Sequence, residues 1–202
     1  MLQLLASGLQ FWLRQRCHVE GSLELRLHGS AFNLLRGRLD GVSLHARRVT
    51  YQDLEIELVD LRSSAIRVQM GNLLRGQALQ LDQPFAIQGQ LSFSPDGLSR
   101  SFTKARWRGL ADWLAEHLLG IAPLLDLGIA GNRLALKAQG IGPSDRVELE
   151  ICLATVPGGL SFTTVDGSTE LLVLPLDASI DLRDARIEAG MVVLEGSAQV
   201  TP

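Results

Sequence analysis

The chain has 202 residues, 46% of them hydrophobic, and a formal net charge of −3. That length can bury a core without disulfides or metals, and the composition lacks the low hydrophobicity and high charge of a disordered chain. The longest runs free of charge and strong polarity, such as Leu118 to Leu125 and Leu171 to Leu176, fall short of the roughly 18 apolar residues that a membrane-spanning helix needs. Leucine supplies 39 residues while aromatic residues make up 5%, so the apolar surface is mostly flexible and aliphatic.

Residues 1–108 carry 14 basic and 9 acidic side chains, and residues 109–202 carry 5 and 13. Such asymmetry fits composition bias with ordinary solvated faces, and also an anionic partner such as a membrane surface or nucleic acid. Arginine makes up 17 of the 19 cations, and its fork binds phosphate in bidentate fashion. A nucleic-acid partner is not expected, because there is no block of five like charges, no aromatic stacking platform and no strongly basic pI.

Residues 2–15 have helical periodicity, with Leu2, Leu5, Leu9, Trp12 and Leu13 on one stripe and Arg14 and Arg16 at the C-terminal end. A docking helix and an amphipathic surface anchor both fit this pattern. No basic n-region precedes the stretch and no small-residue cleavage site follows it. The protein is therefore expected either to stay inside the cell or to have a leader missing upstream.

From residue 19 the period becomes two. Val19, Gly21, Leu23, Leu25 and Leu27 alternate with polar residues, as a half-buried antiparallel strand does. The alternation recurs at Val42-Leu44-Ala46, Leu54-Ile56-Leu58, Ile66-Val68 and Phe85 to Phe93. It returns at Leu134-Leu136-Ala138, Val147 to Leu153, Ile180-Leu182 and Val192 to Val200. About ten strands with short polar connections predict a strand-dominated α+β fold with a large antiparallel sheet or barrel.

Between the two sets of strands lies a helical pair at about 95–119. Ser94-Pro95-Asp96 has the residues of an N-cap, a first-turn proline and an acidic first turn. Leu98 and Phe102 continue the apolar face of this first piece. Leu110, Trp113, Leu114, His117 and Leu118 share one side of the second, which Gly120 and Pro123 end. No composition shift marks a boundary, so residues 1–202 are expected to form a single domain. The pentapeptide Asn33-Leu34-Leu35-Arg36-Gly37 recurs at Asn72 to Gly76; chance in a Leu-rich chain and a repeated turn unit both account for it.

The chemical inventory is poor. His18, His28, His45 and His117 lack metal-ligand spacing, and no nucleophile elbow, P-loop or dinucleotide-binding glycine motif is present. The pairs Glu55/Glu57 and Glu148/Glu150 have i, i+2 spacing on strands, which places each pair on a solvated face. Gly140 to Pro143 reads as a turn between strands. Cys17 and Cys152 are the only cysteines and are expected to be free thiols, although their pairing cannot be read from sequence. No enzyme, metal or cofactor is expected. Three arginine clusters remain: Arg36/Arg38, Arg47/Arg48 and Arg106/Arg108. The last lies with Lys104 and Trp107 before the second helix, where ordinary solvated charge and an anionic-lipid contact are both consistent.

The order of these elements resembles the LmeA-like family of bacterial phospholipid-binding cell-envelope proteins. The resemblance is carried by Gly37-x-Leu39-x-x-Val42-x-Leu44-x-Ala46, Val49-x-Tyr51-x-x-Leu54-x-Ile56, Val59-x-Leu61, Ile66-x-Val68, Asn72 to Gly76, Pro84 and Ser94 to Leu98. Leu174-Pro175-Leu176, Gly190, Gly196 and Ala198 complete it. It implies a long curved sheet or half-barrel wrapped around helices, similar to tubular lipid-binding proteins, and a phospholipid or membrane surface as partner. On this reading Leu110, Trp113, Leu114 and Leu118 contact acyl tails, and Arg106 and Arg108 meet the headgroup. The alternative is a structural or protein-interaction module with a closed core and no ligand. A homo-oligomer and an unidentified protein partner stay open.

Overall fold

The computed structural model describes residues 17–201 apart from 31, 34–35, 68–81, 141 and 143–144. The expected helix at 2–15 and the second copy of the pentapeptide lie outside the described residues.

The first half of the chain forms β1 (His18–Val19), β2 (Leu23–His28), β3 (Arg38–Leu39), β4 (Gly41–Tyr51), β5 (Leu54–Ser63), β6 (Ile66–Arg67) and β7 (Phe85–Phe93). Then come α1 (Pro95–Phe102) and α2 (Ala105–Leu119). The second half forms β8 (Leu124–Ala130), β9 (Arg133–Gln139), β10 (Arg146–Val156), β11 (Gly159–Thr163), β12 (Glu170–Pro175), β13 (Ile180–Glu188) and β14 (Met191–Val200). The fold is α+β and strand-dominated, with every pairing antiparallel. The described strands form three sheets rather than one: a seven-stranded sheet ordered β1-β4-β5-β7-β14-β13, with β2 also on β4, a five-stranded sheet ordered β12-β11-β10-β9-β8, and the two-stranded ladder β3-β6. None closes into a barrel.

The ribbon β4–β5 is the spine of the large sheet. Its register runs from Tyr51↔Leu54 to Ser43↔Arg62 and continues past a break into Leu39↔Ile66 and Arg38↔Arg67. Its turn places Gln52 and Asp53 at φ 50° and 66°, the twist that a two-residue hairpin favours. The alternation expected at Leu54-Ile56-Leu58 is interrupted. Ile56 and Val59 are both buried, as are Ala46 and Val49 opposite them, so both strands change phase at one level. Arg48 at φ 51° makes this bend, and Leu58 leaves the core face while Val59 and Leu61 take it over.

A second crease crosses β7 and β14, where Gly89 and Gly196 face each other. A Cβ at Gly89 would collide with the Asp60 carbonyl oxygen, and one at Gly196 with that of Asp181. Only residues without side chains allow neighbouring strands so close, and the approach curls the sheet.

α1 starts as its residues predict: Ser94 is the N-cap, its Oγ accepts from Gly97 N at 3.2 Å, and Pro95 opens the helix. The helix lies between β5 of one sheet and β8 of the other. Two of its serines hold the edges. Ser101 Oγ accepts from Glu55 N at 2.9 Å and donates to Gly97 O at 2.7 Å, while Ser99 Oγ lies 3.0 Å from both Leu127 N and Leu127 O. Arg100 Nε reaches both Glu55 carboxylate oxygens at 3.0 Å, so Glu55 is engaged and not a freely solvated group. At the opposite seam β13 runs beside β10, and Thr155 Oγ1 donates to Arg183 O at 3.4 Å.

α2 packs inside, against β8, β9 and β10. Ala111, Leu114 and Ala115 join Leu134, Leu136, Ile151 and Phe162 of the small sheet and Val59, Phe93 and Val192 of the large one in a single core cluster. Strands β8, β11 and β12 escape the sequence reading because they show no clean alternation. In β8 a register shift between Leu124 and Asp126 puts Leu124 and Leu127, three apart, on the same face.

Candidate functional site

Two regions of the apolar sheet face differ in what lies on them. The first is the α2 end. The helix begins at Ala105, so Arg106 and Arg108 stand in its first turn and not before it. Cations are disfavoured beside the positive end of the helix dipole, and this turn contains no acidic residue and no side-chain cap. Arg108 is offset by Asp112 one turn on, at 3.1 Å. Arg106 is exposed. Trp107 Nε1 donates to Gln52 O at 2.8 Å and so pins the helix start to the β4–β5 turn. Beside that turn Tyr51 is 46% exposed, and Lys104 is exposed as well.

Of the four residues proposed for acyl tails, Leu114 is 5% exposed and belongs to the core. Leu110, Trp113 and Leu118 are half-buried and pack against it. His117 is exposed, with Nδ1 2.8 Å from Trp113 O and its ring 4.6 Å from that of Trp113. The fold brings Arg106, Arg108, Trp107 and Tyr51 to one end of the molecule. Tyr51 was legible only as a strand residue, because its neighbourhood depends on a contact 55 positions away in sequence.

The second region lies beyond the Gly89–Gly196 crease. Leu27 opposes Val42, and Ile87 opposes Ala198, which opposes Ile180. Phe85 and Val200 pair in the next row. These residues continue the apolar face but stand outside the core cluster, and Ile180 is 39% exposed. Beyond them, at the end of the β4–β5 ribbon, Arg38 and Arg67 face each other. The sequence singles out Arg38 as one of a cluster, but nothing in it marks Arg67.

The opposite face of the large sheet is polar. A cleft of about 520 Å³ there is lined by Arg26, His28, Ser43, His45, Asp60 and Arg62, among others. His28 Nε2 lies 2.7 Å from Ser43 Oγ, and His45 Nδ1 lies 3.8 Å from Asp60. Glu148 and Glu150 face Lys137 and Arg133 of the next strand, at 3.5 and 3.0 Å. Cys17 and Cys152 are free and half-buried, and burial raises the pKa of Cys17 above the ordinary thiol value.

The chain matches a family described as LmeA-like phospholipid-binding, over residues 2–200. The chain belongs to this family. Phospholipid binding is thus its general property, and the order of strands, helical pair and strands that carried the resemblance is the order found in the fold. No curated protein and no solved structure matches the chain. Among the described residues no helix is long and apolar enough to cross a membrane. The two regions above are apolar surfaces that lie next to arginines among the described residues.

Proposed function

We propose that the protein is a non-enzymatic phospholipid carrier or binder at the membrane periphery or cell envelope, holding acyl chains in an apolar groove. The family match over residues 2–200 carries this reading. The apolar face that runs past the packed core supports it, as do half-buried Leu110, Trp113 and Leu118, with Leu114 forming the support behind them. Arg106 and Arg108 meet the headgroup at the start of α2, where free backbone N–H groups favour an anion. Each buried methylene is worth about 0.8 kcal/mol, so ten of them supply about 8 kcal/mol against ordering and desolvation costs. Native mass spectrometry of the purified protein, combined with sedimentation on vesicles of anionic phospholipid, tests the reading. Co-purifying phospholipid or vesicle binding is expected; the absence of both would sink it.

A second reading is a structural or protein-interaction module with a closed core. The packing around α2 favours it, since Leu136 and Ile151 are 1% and 0% exposed and leave no room for a chain there. Lipid-insensitive self-association, with no bound lipid, is the outcome that selects it.

A further inference from the structure

We propose that Arg38 and Arg67 form a phosphate-binding site at the end of the β4–β5 ribbon remote from α2. The two arginines are directly opposed in an antiparallel ladder, where Cβ atoms stand about 4.5–5.5 Å apart and like charges repel. Both are exposed, and neither has an ion-pair partner among the described residues. Elsewhere the sheets pair opposite charges: Lys137 stands across from Glu148, Arg133 reaches Glu150, and Arg186 is held by Asp184 and Glu188. Asp184 and Glu195 are also opposed like charges, but Arg186 lies between them, whereas nothing among the described residues offsets Arg38 and Arg67; a bound oxyanion turns their repulsion into two charge-assisted, bidentate contacts.

The surroundings fit that ligand. Arg36, two residues before Arg38, stacks its guanidinium 4.1 Å over the ring of Phe32, which is 60% exposed, so a third cation lies close in sequence to the pair. Asp40 lies two residues after Arg38, and Asp82 N donates to Arg67 O at 3.0 Å, but among the described residues neither carboxylate forms an ion pair with either arginine. Ile66, which precedes Arg67 in the strand, turns to the opposite face and is buried, while the apolar row of Leu27, Val42 and Ile87 follows along the same ribbon and its neighbours. The ligand is therefore a phosphate group: a phospholipid headgroup whose chains lie along that row, or free phosphate. The first of these sources rests on the proposed function.

The test titrates the full chain with two probes at low salt, inorganic phosphate and short-chain phosphatidylglycerol below its micelle concentration. The expected result is that phosphate shifts the side-chain Nε resonances of Arg38 and Arg67, and that Arg38→Gln/Arg67→Gln loses about tenfold or more in affinity for phosphatidylglycerol. The double variant should melt no earlier than the wild type, because a repulsion has been removed. Phosphatidylglycerol displacing phosphate assigns the site to a headgroup; phosphate shifts without displacement assign it to free phosphate. Unchanged affinity in the double variant, or a lowered melting temperature showing a structural pair, overturns the site. A wild type that shows the phosphate shifts but neither carries co-purifying phospholipid nor binds anionic vesicles overturns the proposed function and leaves the site standing.

Discussion

The two ends of the large sheet share one apolar face but not one environment. Near α1 and α2 the face is covered: Ala46, Val59, Phe93 and Val192 are buried against helix residues such as Leu114 and Ala111. Past Gly89 and Gly196 the same face continues through Val42, Ile87 and Val200 outside the core cluster, half-buried. The comparison separates two uses of one pattern. Apolar side chains that lie on a close-packed interior contribute mainly to stability, and those that keep accessible surface remain available to a hydrophobic ligand.

This difference sets the largest expected effect. Leu114→Ala should cost about 2–5 kcal/mol, the range for a buried leucine whose cavity cannot collapse. Ile87→Ala, from a half-exposed site, should cost about 1 kcal/mol or less and instead weaken phospholipid uptake. Urea unfolding of both variants, with lipid binding measured in parallel, checks the contrast; equal destabilisation would erase the distinction between the ends.

The crease that divides the ends is the next target. Gly196→Ala places a methyl against the Asp181 carbonyl and should destabilise by about 1–3 kcal/mol, as forced overpacking does. A neutral result in thermal melts would mean that the close approach of β14 and β13 is not what curls the sheet.

Ser101→Ala tests the seam at the covered end. It removes the acceptor of Glu55 N and should cost about 1–3 kcal/mol, the usual effect of orphaning a buried donor. Faster hydrogen exchange at the Glu55 amide is the specific readout, and an unchanged rate would deny α1 its role as a clasp between the sheets.

The smallest effect lies outside both ends, in the β11–β12 turn. Hydrogen bonds from Thr164 and Ser168 hold the Asp166 carboxyl down to about 2. Because the folded value lies below the unfolded one, its stabilisation is present above pH about 4 and is lost as pH falls through about 2. Carbon NMR of the Asp166 carboxyl should show a midpoint near 2, whereas a midpoint near 4 would mean that the turn is not hydrogen-bonded in solution.

Much of the fold was legible because it follows from local rules. Ser94-Pro95-Asp96 marked the start of α1 to the residue, Gly120 at φ 71° marked the end of α2, and period-two runs located β2, β7, β9 and β10. The reading failed where two strands act together. Leu58 follows Ile56 in perfect alternation, yet Arg48 on the neighbouring strand bends the ribbon and turns Leu58 away. Glu55 read as a solvated carboxylate because its partner Arg100 is 45 residues away.

The candidate site divides in the same manner. Its residue types, leucines in stripes and arginines in clusters, were visible from composition and spacing, and so was the family. Local patterns were enough to dictate that strands would alternate, that a helical pair would interrupt them, and that one broad aliphatic face would result. Those outcomes depend on periods, caps and turn residues within a few positions of each other. The tertiary structure alone decided which part of that face the helices cover, that α1 joins the two sheets, and that Arg38 meets Arg67. These depend on register carried along a 30-residue ribbon and on the angle at which sheets close over helices. Registers and angles are settled by packing among distant residues, and no local pattern encodes them.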